Sequence, residues 1–209
     1  AGHFVGLKGE EVTFTAISII SDQLYINATR TVGVDGTSAE DLSMAEVSER
    51  RHVHELVTAL RQNVPGMENC YLLYSAPVGI RESRNIQGDY VHTKEDVQSA
   101  KQFEDSVSRG AYAIDIHDPN GGRTQFQFIK DGGSYSIPYR CFLPVGVSNL
   151  LVAGRCLSAT HDAMGTARIM GAVMAQGQAA GTAAAMAANH GGATRKVDIQ
   201  ALQQKLTED

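Results

Sequence analysis

The 209-residue chain carries 18 Lys and Arg against 23 Asp and Glu, a net charge of −5, and 43% of it is hydrophobic. That is enough apolar material for one large or two small domains. No Lys/Arg block is present, which argues against nucleic-acid binding through bulk electrostatics.

The start, Ala1, Gly2, His3 and Phe4, is neither basic nor followed by an uninterrupted apolar core. No secretory signal is therefore visible, which favours a cytoplasmic location. Residues 11–20 alternate and are β-branched, so a strand is expected there, with a second over 23–31. Gly33, Val34, Asp35 and Gly36 break the pattern. Thr37 with Glu40 forms a capping box. The helix behind it runs to about Asn63, with Leu42, Val53, Leu56, Val57 and Leu60 on one side. Val64, Pro65 and Gly66 stop it. His52 and His54, two apart, cannot share a helix face, so no metal site is expected there.

Residues 71–76 read as a strand and 81–90 as extended chain. Thr93 with Asp96 starts a short helix to about Gln102. Val107 and residues 111–116 are short strand candidates, followed by a turn at Asp118, Pro119 and Asn120. Residues 124–129 and 134–138 are expected to pair as a hairpin across Asp131, Gly132 and Gly133. The apolar run 150–153, ended by Gly154, suits a buried strand. A hydroxyl-rich loop with His161 and Gly165 follows, and then residues 167–189 give a long run of helix formers without proline. Asn189, His190, Gly191 and Gly192 terminate it. Asp198 caps a last amphipathic helix with Ile199, Leu202 and Leu206 on one face. The mixture predicts an α/β or α+β fold.

Within the long helix, Gly177 and Gly181 have GxxxG spacing. A membrane reading is discounted because Arg168, Gln176 and Gln178 interrupt the run. Each glycine costs about 1 kcal/mol of helix propensity against alanine, so close backbone approach to a sheet or ligand is expected to offset it. The strand, the loop and the helix start at 150–172 make a ready anion or cofactor site. There the first-turn N–H groups lack partners and the helix dipole is positive.

Among reactive side chains, Arg81 and Ser83 share one face of an extended segment, Glu82 and Arg84 the other. Arg81 suits either a clamp on a substrate carboxylate or an inter-strand ion pair. His117, beside Asp115 and Asp118, suits acid–base work or a hydrogen-bonded turn. Tyr139 and Arg140 have similar standing. His161 reads as a cofactor or substrate contact, or as a brace for its loop. Arg168, at the expected helix start, opposes the dipole and so needs an anion or carboxylate partner. Cys70, Cys141 and Cys156 show no CxxC spacing and form no disulfide framework. They read as buried reduced thiols or, at Cys156, as a redox group.

The segment from Leu150 through Met170, with Gln176, Gly177, Gln178, Ala179, Ala180 and Gly181 beyond it, resembles the C-terminal end of bacterial FAD-dependent oxidoreductases. These belong with the glutathione-reductase-like flavoproteins, including the fumarate reductase and succinate dehydrogenase group. Ordered matches begin at Gly33, Gly79, Ile114 and Ile137. The resemblance implies FAD as cofactor and a small-molecule substrate of unknown identity. It implies catalytic roles for His161 and Arg168, to which residue chemistry adds Arg81 and His117 as catalytic candidates, and cofactor contacts from Gly154, Arg155, Gly165, Met170, Gly171 and Ala172. In the fumarate-reductase group, a glycine-x-x-arginine segment like that ending at Arg168 faces substrate. A covalent flavin link at Cys156 is the other reading of that thiol. The GxGxxG fingerprint that seats the FAD pyrophosphate is absent from the sequence. The chain is therefore expected to be a partial flavoprotein fold. Residues 1–142 would form a substrate or cap region, and 143–209 the last strand and long helix of the FAD-binding domain. Its partner would be the missing N-terminal half, with a homo-oligomer through the Gly/Ala-rich helix as a further expectation. The alternative is a non-catalytic fragment or interaction module that binds no flavin by itself.

Overall fold

A computed structural model describes residues 3–5, 11–13, 22–81, 84–116 and 125–208. The fold is mixed α+β, with five α-helices and three two-stranded antiparallel sheets among the described residues. Two compact units are present, one within Ala1–Ile80 and one within Arg81–His117 and Thr124–Asp209.

In the first unit, β1 (His3–Val5) pairs antiparallel with β2 (Glu11–Thr13). Helix α1 spans Ala39–Asn63, and its N-cap is Ser38, whose side chain accepts from the Asp41 N–H. The cap thus falls one residue later than the expected Thr37. The helix buries Ala45, Leu56, Ala59 and Leu60, with Leu42, Val53 and Val57 half-buried beside them. The strands expected over 23–31 and 71–76 do not form. Both segments expose apolar side chains, Tyr25 at 66% and Tyr74 at 77%. β-Propensity describes fit to a neighbouring pleated surface, and among the described residues no strand pairs with these segments.

The second unit contains α2 (Lys94–Gln98), β3 (Ser106–Gly110), β4 (Ile114–Ile116), β5 (Gln125–Gln127) and β6 (Tyr135–Pro138). The helices α3 (His161–Ala167), α4 (Met170–Ala188) and α5 (Ile199–Glu208) complete it. Thr93 and Asp96 form the expected capping box of α2. Asp198 Oδ1 accepts from the Ala201 N–H at the start of α5, and Leu202 is the buried anchor of that helix. The expected hairpin between 124–129 and 134–138 is replaced by two other pairings, β4 with β5 and β6 with β3. All four residues of β6 are buried. Its place is therefore in the core, among Ile114, Phe142, Leu157, Met164, Ala179 and Leu202.

Residues 150–153 are not a buried strand: Leu150 is exposed, and Val152 makes a single backbone bond to Phe142 O. The long helix forms as α4 but starts at Met170, and the segment read as a loop before it holds a separate short helix, α3. Helix α4 buries Ala172, Gln176, Ala179, Ala183 and Ala187. Gly171, Gly177 and Gly181 lie on the exposed side, with open space where a Cβ would stand. They do not serve a close approach within this unit. No described helix is long and apolar enough to cross a membrane.

Candidate functional site

The loop after Ala153 is shaped by Gly154, whose φ of +77° L side chains rarely adopt. Gly154 opens a single 3-10 turn, Gly154–Cys156. Its N–H donates to Gln176 Oε1 at 2.9 Å, and Gln176 Nε2 donates to Ala167 O at 2.8 Å. The fully buried Gln176 therefore ties the loop, the end of α3 and the second turn of α4 into one body. The segment 85–92 runs alongside. Ile86 N–H donates to Cys156 O, Gly88 N–H to Ser158 Oγ and His92 N–H to Ser158 O, each at 3.0 Å.

Helix α3 starts at His161, behind the Thr160 N-cap. Its next residue, Asp162, pairs with Lys94 at 3.0 Å. His161 is exposed at the first helical position, and Arg155 is exposed in the preceding turn. Gly165 does not make the turn into the long helix. It is buried inside α3, where a Cβ would lie 3.1 Å from Asp115 O. This contact sets α3 directly on β4.

Arg168 is the C-cap of α3 and does not open the long helix. A cation there is favoured by the dipole of α3, which removes the expected conflict. Its Nη2 lies 3.4 Å from Asp115 O and 3.8 Å from Asp115 Oδ2. Arg81 Nη1 reaches the same Oδ2 at 3.2 Å. Two of the sequence-selected residues, 87 positions apart in the chain, thus meet on one carboxylate. Among the described residues, two guanidiniums face a single Asp115. His117 lies outside the described residues.

Ile169 is extended and offers α4 no side-chain cap. The first α-helical bond of α4 is Val173 N–H to Ile169 O at 2.9 Å. The N–H groups of Met170, Gly171 and Ala172 therefore precede the helical ladder. Met170 is 81% exposed, and Gly171 has no neighbour within 4 Å of a built Cβ. This end of the helix is open to a planar group carrying negative charge, so the residues fit the ring end of a flavin. No glycine fingerprint for its pyrophosphate occurs in the 209 residues.

Tyr139 and Arg140 have structural partners. Tyr139 donates to Thr194 O at 2.9 Å, and Arg140 Nε and Nη2 form a fork on Asp105. They line an open groove of about 700 Å³ with Phe103, Leu143 and Arg195, and Arg195 is itself forked on Asp89. The groove shares no lining residue with the Arg81, Asp115 and Arg168 group. No cluster of three or more metal-ligating side chains occurs among the described residues.

Sequence reasoning missed Gln176, read only as a polar interruption of the helix, and the buried group around His92. His92 and Asp96 are spaced i, i+4, which was the available signal. His92 is fully buried, and burial pushes its pKa down to about 4. Its 3.6 Å approach to Asp96 is therefore not an ion pair at neutral pH. Lys101 supplies the charge partner for Asp96, at 2.7 Å.

The mixed α+β fold thus carries a loop–helix body with a guanidinium pair on Asp115, and Arg168 of that pair lies two residues before the open start of α4. The model of one family, described as FAD dependent oxidoreductase, matches residues 7–206. The chain belongs to that family. No curated protein and no solved structure matches it.

Proposed function

We propose that this chain is the C-terminal portion of an FAD-dependent oxidoreductase and supplies residues at the flavin edge and the substrate site. The observation that carries the reading is the convergence of Arg81 and Arg168 on Asp115, with Arg168 two residues before Met170, the open start of α4. Bound FAD supplies the two-electron redox chemistry. The N–H groups of Met170, Gly171 and Ala172 favour negative charge at the pyrimidine side of the ring. Gly154 and Arg155 shape and flank the loop that faces it. Arg168 and Arg81 hold an anionic group of the substrate, with Asp115 fixing both guanidiniums, and His161 and His117 are the candidates for moving a proton. The domain division at 142/143 refers to the whole enzyme. Within this chain Phe142 and Leu143 share one core.

A helix terminus stabilises a nearby anion by about 0.3–1 kcal/mol, and by up to about 2 kcal/mol when partly buried. For a two-electron couple, about 30 mV corresponds to 1.4 kcal/mol, so the helix raises the flavin potential by a few tens of millivolts. The test is Arg168→Ala and, separately, Gly171→Pro in the full-length protein. Proline removes one N–H near the helix start, where φ is already suitable. Wild-type potential and turnover in both variants would reduce α4 to scaffold.

The second reading, an interaction module without flavin of its own, draws on the exposed face of α4. Met170, Met174, Gly177 and Gly181 all lie on it. A visible spectrum of the 209-residue chain after FAD is added separates the two: flavin absorbance that stays with the protein through gel filtration favours the first.

A further inference from the structure

We infer that the Arg81, Asp115 and Arg168 group, together with the aromatic face beside it, takes a small aromatic carboxylate. This rests on the proposed anion-holding role of the two arginines and adds the chemical class of the anion. In the β4–β5 ladder, Asp115 stands directly opposite Phe126. Residues opposite one another in an antiparallel pair project to the same face, with Cβ atoms about 4.5–5.5 Å apart. The other face is already used. Ile114 is fully buried against Gly165, and its ladder partner Gln127 accepts a hydrogen bond from Gln98 at 2.8 Å.

The face that carries Asp115 therefore sets Phe126, 52% exposed, beside the carboxylate on which both guanidiniums converge, with Phe128 two residues further at 80%. A half-exposed phenyl ring beside a pair of guanidiniums matches a ligand with the same two halves. A carboxylate takes a guanidinium fork, and an aryl ring packs on phenylalanine in an offset or edge-on arrangement. The described face offers one cationic subsite, so a monocarboxylate fits it better than a dicarboxylate.

The probes are benzoate, acetate and benzyl alcohol, titrated into the 209-residue chain at constant ionic strength and followed by amide chemical shifts. Benzoate is expected to bind roughly tenfold tighter than acetate, and benzyl alcohol not measurably. Phe126→Ala should bring benzoate down to the acetate level and leave acetate unchanged. Arg168→Ala should abolish both. If that variant misfolds, as its amide spectrum would reveal, Arg168→Lys should weaken both through loss of the fork. Acetate binding that depends on Arg168, without any preference for benzoate, would overturn the aromatic class and keep the anion-holding role. No binding of either carboxylate would overturn both. Benzoate binding that survives Phe126→Ala unchanged would place the ring elsewhere and overturn the inference.

Discussion

Gly154 and Gln176 are joined by a buried hydrogen bond of 2.9 Å, and the same amide returns a second bond to Ala167 O. One side chain thus satisfies a donor in the strained loop and an acceptor at the open end of α3. Replacing it with leucine of similar length leaves both groups buried without partners. Each such group costs about 1–3 kcal/mol. Gln176→Leu is therefore expected to lower unfolding free energy by roughly 2–4 kcal/mol. Urea denaturation of the two proteins measures it, and an unchanged midpoint would mean that the amide braces nothing.

Gly110 and Tyr135 are direct partners in the β3–β6 ladder. The tyrosine ring lies over the glycine, and a Cβ there would overlap the Tyr135 hydroxyl and ring carbon Cζ. The Thr166 hydroxyl donates to Tyr112 O at 2.7 Å, so the Tyr135 hydroxyl is the donor in its 3.0 Å contact with Thr166. Gly110→Ala should cost about 1–3 kcal/mol by overpacking. Tyr135→Phe should cost only about 1 kcal/mol, because Thr166 keeps its own acceptor. Thermal unfolding ranks the two; the reverse order would show that the hydroxyl pair matters more than the space.

These two relationships mark the limit of what the chain disclosed beforehand. Helix α1, the capping box of α2 and the amphipathic α5 were legible because caps and apolar spacing are local signals. The strands at 23–31 and 71–76 failed because a strand needs a partner that local sequence does not specify. Helix α3, in residues that read as a loop, was missed for a related reason, and so was the place where it stops short of α4. No proline or glycine marks Arg168 and Ile169. What ends α3 there is distant: Asp115 draws Arg168 aside, and Gln176 satisfies Ala167 O. Arg81 and Arg168 were each selected from sequence, but their meeting on Asp115 depends on Gly165 letting α3 lie against β4.

The three thiols should separate by reactivity. Cys156 is exposed, Cys70 intermediate and Cys141 buried. Burial pushes the Cys141 thiol up to about 12, so it supplies almost no thiolate at pH 8. With a thiol-reactive dye at pH 8, one fast equivalent is expected at Cys156, a slower one at Cys70 and none at Cys141 until denaturant is added. Peptide mapping assigns the sites. Rapid labelling of Cys141 in the folded chain would mean that its core opens readily.

Buried His92 makes the fold sensitive to acid. Its ring packs 5.3 Å from that of Tyr135 and 6.4 Å from that of Phe103, centroid to centroid. Neither ring nitrogen has a hydrogen-bond partner. Burial lowers its pKa from 6.5 to about 4, although the Asp96 carboxylate pulls the other way and Lys101 again lowers it. The unfolded chain therefore takes up a proton near pH 6.5 that the folded chain refuses until about pH 4. Stability present above pH 6.5 is lost progressively as pH falls through that window. At 1.36 kcal/mol per unit, the loss approaches roughly 3 kcal/mol. Asp96 contributes at lower pH. Its own burial works against ionisation, but bonds from Lys101, Tyr90 and the Thr93 N–H outweigh this and hold its carboxyl below 3.8. His92→Leu keeps the packing volume and removes the titrating ring. Urea unfolding at pH 7.5, 6.5, 5.5 and 4.5 should show wild type losing stability relative to the variant at each step below pH 6.5. Parallel curves across that range would place the titration of His92 outside it and remove the histidine as a source of acid sensitivity.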